Sequence, residues 1–209
     1  MLVREIMKSP VTTIAPETTL LEACKLLQAQ GIRHLPVMES GRLVGVITDR
    51  DVRFATSALC PSPHAATDSV KCAMSPSPLT ADPGDPIEDV ARIMREKKIG
   101  CLPVVEGGLI IGIITNMDLL DAILMLTGVH DPTGRLEVAL PDVPGELARL
   151  TTFLSHRNVN IRSILTYPNG QGLIHTVLRV DSNQTPLLAK ALREEDFTVL
   201  WPVQKPWLR

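Results

Sequence analysis

Aromatic side chains are scarce: one Tyr, three Phe and two Trp make up 3% of the chain. Surfaces that grip single-stranded nucleic acid stack bases on such rings, so that class is disfavoured. Charge of one sign is lacking too. A formal net charge of −2 gives no overall field to draw in DNA, RNA or an anionic membrane, and any anion site must be local. No apolar run approaches the roughly 18 residues of a spanning helix, and no secretory apolar core follows Met1-Leu2-Val3-Arg4-Glu5. A soluble cytoplasmic protein is expected.

Metal and catalytic signatures are missing as well. Cys24, Cys60, Cys72 and Cys101 form no C-x-x-C pair, which removes the common zinc and redox motifs. Cys24 and Cys101 stand in apolar surroundings and read as small buried hydrophobes. The five histidines make no H-x-x-x-H pair, and there is no P-loop, no G-x-G-x-x-G and no G-x-S-x-G. Gly107-Gly108 and Gly170-Gln171-Gly172 read as hairpin turns rather than phosphate loops. No catalytic residue and no metal ligand is assigned, and an enzyme is not expected.

What is present is a repeat. At an offset of about 67 residues the first half matches itself without gaps over roughly fifty positions. Val3 falls on Val70, Met7 on Met74, Thr13 on Thr80 and Pro16 on Pro83. Ile32-Arg33-His34-Leu35-Pro36-Val37 falls on Ile99-Gly100-Cys101-Leu102-Pro103-Val104, and Gly45-Val46-Ile47-Thr48-Asp49-Arg50-Asp51 on Gly112-Ile113-Ile114-Thr115-Asn116-Met117-Asp118.

Each copy reads as strand, helix, strand, strand, helix. Thr19 with Glu22 forms a capping box. In the second copy Asp85 is the expected cap, with Pro86 at the first helical position and Glu88 at the third. Leu20, Ala23, Cys24 and Leu27, like Ile87, Val90, Ala91 and Met94, follow helical spacing, and Gly31 suits a helix C-terminus. Hairpins follow, Leu35 to Met38 with Leu43 to Thr48 in the first copy, and turning at Glu106-Gly107-Gly108 in the second. Second helices start near Asp49 and Asn116. Neither small sheet can bury both faces alone, so the copies should pack together.

Thr48 and Thr115 end a strand just before a helix N-terminus, where a hydroxyl and free backbone N–H groups can meet a phosphate or ribose oxygen. Asp51 and Asp118 follow in the first helical turn, where a carboxylate can accept hydrogen bonds from a ribose diol. The same residues can simply cap the helix, and the two roles are compatible.

These motifs, seen twice at one spacing over residues 1 to about 126, resemble the CBS motif, whose tandem pair is called a Bateman module. The resemblance implies two adenine-nucleotide clefts, each combining one copy's Thr-x-x-Asp with the other copy's first strand and the residues before Leu-Pro. One cleft would hold Thr12, Ile32, Arg33 and His34 with Ile113, Thr115 and Asp118. The other would hold Leu79, Ile99, Gly100 and Cys101 with Val46, Thr48 and Asp51. Arg33 and His34 offer charge-assisted bonds to phosphate where Gly100 and Cys101 offer none, so the Asp118 cleft is the expected stronger phosphate site. Arg50 and Arg53, opposite Met117 and Leu120, partly offset this in the other cleft.

Beyond a linker at Thr127 to Gly134 the rhythm changes. Leu136 to Leu140 alternates as a strand, and Pro141 to Leu147 turns into a helix with Leu147, Leu150 and Leu154 on one face. A strand opens at Asn158 to Ile164 and a third follows at Leu173 to Val180 after a Pro168 to Gly172 turn. A helix begins at Thr185-Pro186 and runs to about Glu195, and a last strand covers Phe197 to Trp201. This βαββαβ order, with Asp142 to Leu147 and Val159-Asn160-Ile161, resembles the ACT domain. That family commonly has Gly near the position of Asn158. Where its members bind amino acids, the positions of Gly145 and Asn160 line the pocket, usually at a subunit interface.

The expected fold is therefore α+β: a CBS pair of two βαββα units packed together, then a ferredoxin-like βαββαβ ACT domain. The expected boundaries are 1–60 and 68–128 for the CBS motifs and 134–209 for the ACT domain. That combination resembles the acetoin-utilisation accessory protein family. It implies a homodimeric regulatory sensor of ATP, ADP or AMP, linked to acetoin or central carbon metabolism and acting on an unidentified enzyme, with no nucleic-acid or membrane partner. A dimerisation scaffold with empty clefts, an amino-acid sensor working through the ACT domain, and an acetoin-catabolic enzyme are the alternatives.

Overall fold

The computed structural model describes residues 1–182 and 184–203. It divides into two units, Met1–Leu120 and a second starting at Asp121. The last six residues of the expected ACT domain lie outside the described residues.

The first unit opens with a short helix α1 (Val3–Ile6). Helix α2 (Leu20–Gln30) leads to the hairpin β1 (His34–Glu39) and β2 (Arg42–Thr48), then α3 (Asp49–Ala55). A two-residue strand β3 (Ser75–Pro76) follows, then α4 (Ile87–Lys97), the hairpin β4 (Cys101–Glu106) and β5 (Leu109–Thr115), and α5 (Asn116–Thr127), within which the division falls. Thr19 and Glu22 cap α2 reciprocally, and Gly31 closes it at φ 62°, a left-handed position that glycine takes without steric cost. The expected cap of α4 differs: Asp85 turns its carboxylate back to the Asp82 N–H at 2.8 Å, and Pro86 precedes the helix with no side-chain cap. Leu20, Ala23 and Leu27 are buried on α2 and Ile87, Val90 and Met94 on α4. Cys24, read as buried, is half-exposed, whereas Cys101 is buried.

The leading strand of each copy is short, and it is exchanged. Ser75 pairs with Val46 on the first copy's β2. At the equivalent place Lys8 exchanges two backbone hydrogen bonds with Ile113 on the second copy's β5, at 2.9 and 3.0 Å. A few residues later each segment returns to its own copy, Ile14 bridging Val37 and Ala81 bridging Val104. The cores follow the exchange. Val3, with Ile6 and Met7, packs among Ala81, Val90, Met94, Leu102, Val104 and Ile114 of the second copy. Val70, with Ala73 and Met74, packs among Leu20, Leu35, Val37 and Ile47 of the first. Val3 and Val70 are both 0% exposed, a burial that contributes about 1.5–3 kcal/mol per side chain. Gly112 and Gly45 make room for this: a Cβ on either would come within 2.5 Å or 2.6 Å of the sulfur of Met7 or Met74.

The second unit carries β6 (Gly134–Pro141), α6 (Glu146–His156), β7 (Ile161–Pro168), β8 (Leu173–Val180), α7 (Thr185–Glu194) and β9 (Thr198–Trp201). Its antiparallel sheet runs β7-β8-β6-β9, the strand order of a ferredoxin-like ACT domain. Leu136, Val138, Leu140, Leu178 and Val180 bury one sheet face against Leu150, Phe153, Leu154, Leu188, Ala189 and Leu192. Two expectations shift. Leu147 is exposed, and Phe153 completes the buried face of α6 instead. Thr185 lies inside α7, with Gln184 before it and no side-chain cap.

Candidate functional site

Each Thr-x-x-Asp closes on itself. In the first copy the Thr48 N–H and hydroxyl donate to Asp51 Oδ2 at 2.9 and 2.7 Å, and the Asp51 N–H donates back to Thr48 Oγ1 at 3.1 Å. The second copy repeats this at 2.8, 2.6 and 3.5 Å for Thr115 and Asp118. The capping role is thus fulfilled in both copies, and these bonds occupy one carboxylate oxygen of each aspartate. Oδ1 is the oxygen left for a further partner.

The strand-end backbone holds the neighbouring positions in place. His34 pairs across the hairpin with Thr48, and Cys101 with Thr115. The N–H groups that open the following helices are taken by the residues before Leu-Pro, Asp49 N by Arg33 O at 3.0 Å and Asn116 N by Gly100 O at 3.1 Å. Thr12 lies where the first chain segment crosses from Ile113 of the second copy to Val37 of the first, and its hydroxyl donates to Gln30 Oε1 at 2.6 Å. Leu79 lies at the matching crossing between Val46 and Val104 and is exposed. Ile32, Ile99 and Ile113 are half-buried and Val46 is buried.

The two copies meet at His34 and Gly100. A Cβ on Gly100 would lie 2.8 Å from His34 Nε2, so the imidazole fills the space that the missing side chain leaves. Burial lowers the His34 pKa, with the Arg33 charge adding to it and the carboxylates of Asp49, Asp51 and Asp118 opposing it. His34 is therefore neutral at neutral pH, and an ordinary hydrogen bond replaces the charge-assisted one expected of it. Arg33 is exposed. Arg53 pairs with Asp49 at 2.9 Å on its own helix. Cys101 has its thiol pushed up to about 12 by burial.

One side chain that the motif reading does not single out is Lys8. Its ammonium stands 3.6 Å from Asp118 Oδ1, with the lysine side chain 70% and the aspartate side chain 4% exposed. No comparable ion pair reaches Asp51 among the described residues. The signal in the sequence is faint: at the repeat offset Lys8 falls on Ser75.

In the second unit Gly145 precedes α6 at φ 98°, while Asn160 follows its far end. The 11-residue helix separates them by about 16 Å at 1.5 Å per residue, so one chain does not bring them into one pocket. Asn160 instead lines a groove of about 360 Å³ with Thr151, Ser155, Asn158, Val159 and Ile161. Asn158 has φ 53°. The position at which the ACT family commonly has glycine is left-handed here, and asparagine is one of the few other residues that take it readily.

Comparison with known proteins agrees with this architecture. The CBS domain model matches residues 3–57 and 70–125, and the ACT domain model residues 134–197. A CBS domain-containing protein of Dictyostelium discoideum is 37% identical over 59% of this chain and 91% of its own. An inosine-5′-monophosphate dehydrogenase of Korarchaeum cryptofilum is 31% identical over 86% of this chain, which spans only 36% of the dehydrogenase. Among solved structures, CBSX2 in complex with AMP is 29% identical, with a TM-score of 0.51 over 59% of this chain and 96% of its own. A CBS domain pair in complex with 5′-methylthioadenosine and S-adenosyl-L-methionine is 29% identical, with a TM-score of 0.53 over 59% of this chain and 95% of its own. An acetoin utilization protein from Vibrio cholerae is 28% identical, with a TM-score of 0.52 over 63% of this chain and 98% of its own. Both domain types are regulatory modules, and no helix among the described residues is long and apolar enough to cross a membrane. With its repeat, its exchanged strands and its paired Thr-x-x-Asp boxes, this chain belongs to the CBS-domain proteins, as a tandem pair followed by an ACT domain.

Proposed function

We propose that this chain is a cytoplasmic, homodimeric sensor that binds ATP, ADP or AMP between its CBS copies and passes the binding state to an enzyme it regulates. The observation that carries the reading is the pair of equivalent boxes in which Thr48–Asp51 and Thr115–Asp118 each spend one carboxylate oxygen on the helix cap. The other oxygen can accept a ribose hydroxyl. The half-buried Ile32, Ile99 and Ile113 suit an adenine ring. The clefts combine Thr12, Ile32, Arg33 and His34 with Ile113, Thr115 and Asp118, and Leu79, Ile99, Gly100 and Cys101 with Val46, Thr48 and Asp51.

Relatives that hold AMP, 5′-methylthioadenosine and S-adenosyl-L-methionine support an adenosine ligand. Cations choose among them. Lys8 beside Asp118 and the exposed Arg33 favour an anionic phosphate over a cationic sulfonium. The likeness to an acetoin utilization protein points the sensor toward acetoin or central carbon metabolism.

Calorimetric titration of purified protein with AMP, ADP, ATP and S-adenosyl-L-methionine tests this, with thermal unfolding alongside. A ligand specific to the native state raises the melting temperature once added above its Kd. Absence of both heat and shift at millimolar adenylate would leave a dimerisation scaffold as the better reading. A second ligand is favoured by the groove carrying Asn160, Thr151 and Ser155, whose amide and hydroxyls suit a small amino acid. A panel of free amino acids in the same melting assay reports it.

A further inference from the structure

The two clefts share a backbone but differ in who attends the aspartate. Lys8 is fixed by two backbone hydrogen bonds to Ile113. From there its side chain reaches Asp118 Oδ1 at 3.6 Å. Asp118 is 3% exposed, and Lys8 lies over its one uncommitted oxygen. The equivalent Ser75, fixed in the same way to Val46, is too short to do this, and Asp51 is half-exposed.

We infer that Lys8 is a specificity-determining latch, which makes the Asp118 cleft admit adenosine ligands according to whether they carry phosphate. The inference rests on the nucleotide reading above. A ribose diol that takes Asp118 Oδ1 competes with the ammonium for that oxygen. Bare adenosine offers Lys8 nothing in exchange. A 5′-phosphate supplies a new anion at the mouth of the cleft, and the long, largely solvated side chain can swing to it without disturbing the strand that carries it. A charge-assisted bond replaces the ion pair that was lost. The neutral His34 and the apolar Ile113 add no competing charge. Arg33 is exposed and makes no ion pair with Asp118 among the described residues. The Asp51 cleft has no such latch and should accept adenosine and AMP with a smaller preference.

The test is the ratio of AMP to adenosine affinity. It is measured by calorimetry on the full chain in an Asp51→Ala background, which weakens the other cleft. In that background the ratio should favour AMP. Lys8→Ser, which installs the residue of the other copy, should lower the ratio about ten-fold, the low end for a bond to a charged group at a solvated site. Adenosine affinity should hold or rise. Lys8→Arg should keep the ratio, which separates charge from packing, and melting curves verify that the exposed substitutions leave the fold intact. An unchanged ratio in Lys8→Ser overturns the latch while leaving nucleotide binding in place. Failure of the wild-type chain to bind any adenylate overturns both.

Discussion

The two CBS copies superpose in motif and part in chemistry. Both place a threonine at a strand end and an aspartate one turn on. Both bury Leu35 or Leu102, Val37 or Val104 and Ile47 or Ile114 at equivalent positions, and both borrow a leading segment from the other. Yet Arg33 and His34 correspond to Gly100 and Cys101 at the repeat offset, and Lys8 to Ser75. The residues that build the hairpin and its core have stayed alike because packing at close to crystal density tolerates little change. Those around the cleft have diverged because a solvated rim tolerates much. A duplicated scaffold can therefore carry two sites of different selectivity at no structural cost.

The sharpest attack on the shared part is core truncation. Leu35 and Leu102 occupy equivalent positions and are 0% and 1% exposed. Leu35→Ala and Leu102→Ala should each cost about 2–5 kcal/mol in denaturant unfolding, and by similar amounts. A large inequality would mean that one copy carries the stability of the pair.

The next largest effect falls on the part that differs. Asp118→Ala should weaken AMP binding by about 1.5–3 kcal/mol, ten- to a hundred-fold, and Asp51→Ala by less. Each aspartate also accepts its threonine's N–H and hydroxyl, so melting temperatures should fall as well, and the titrations are made at a temperature where both variants are folded. Equal losses in calorimetric titration would erase the asymmetry between the clefts.

The smallest effect is one of pH. Burial against Gly100 lowers the His34 pKa, so below the ordinary histidine value of 6.5 the unfolded chain takes up a proton that the folded chain resists. Stability contributed by neutral His34 is complete above that value. It is lost as pH falls toward the depressed folded pKa. His34→Gln should flatten this part of the stability profile, read as melting temperature between neutral and mildly acidic pH. A profile identical to wild type would mean that the imidazole titrates freely. Cys101, at the equivalent position, should contribute nothing over the same range, because its thiol titrates near 12.

Much of this was legible in the chain because local rules set it. The capping box at Thr19 and Glu22, the left-handed Gly31 and the two hairpins depend on residues a few positions apart, and both domain types follow from motif order. What local rules could not reach was set by contacts across sequence. Asp85 reads as a cap, but its carboxylate is recruited by the Asp82 N–H. Leu147 keeps helical spacing, yet the sheet meets α6 one step round and buries Phe153 instead. His34 looks like a cation until Gly100 supplies the pocket that strips its water. Lys8 and Asp118 are far apart in the chain, and no spacing rule joins them. Their contact exists only because the first segment crosses to the second copy.

That crossing has a consequence for the history and handling of the molecule. A peptide bearing a single repeat would present an unfilled slot where Val3 or Val70 belongs, and a loose end suited to a sibling's slot. Such a half is whole only when two associate, so separately produced halves should find each other in solution. Fusion of an ancestral self-pairing unit into one continuous polypeptide would have freed its two ends to evolve apart.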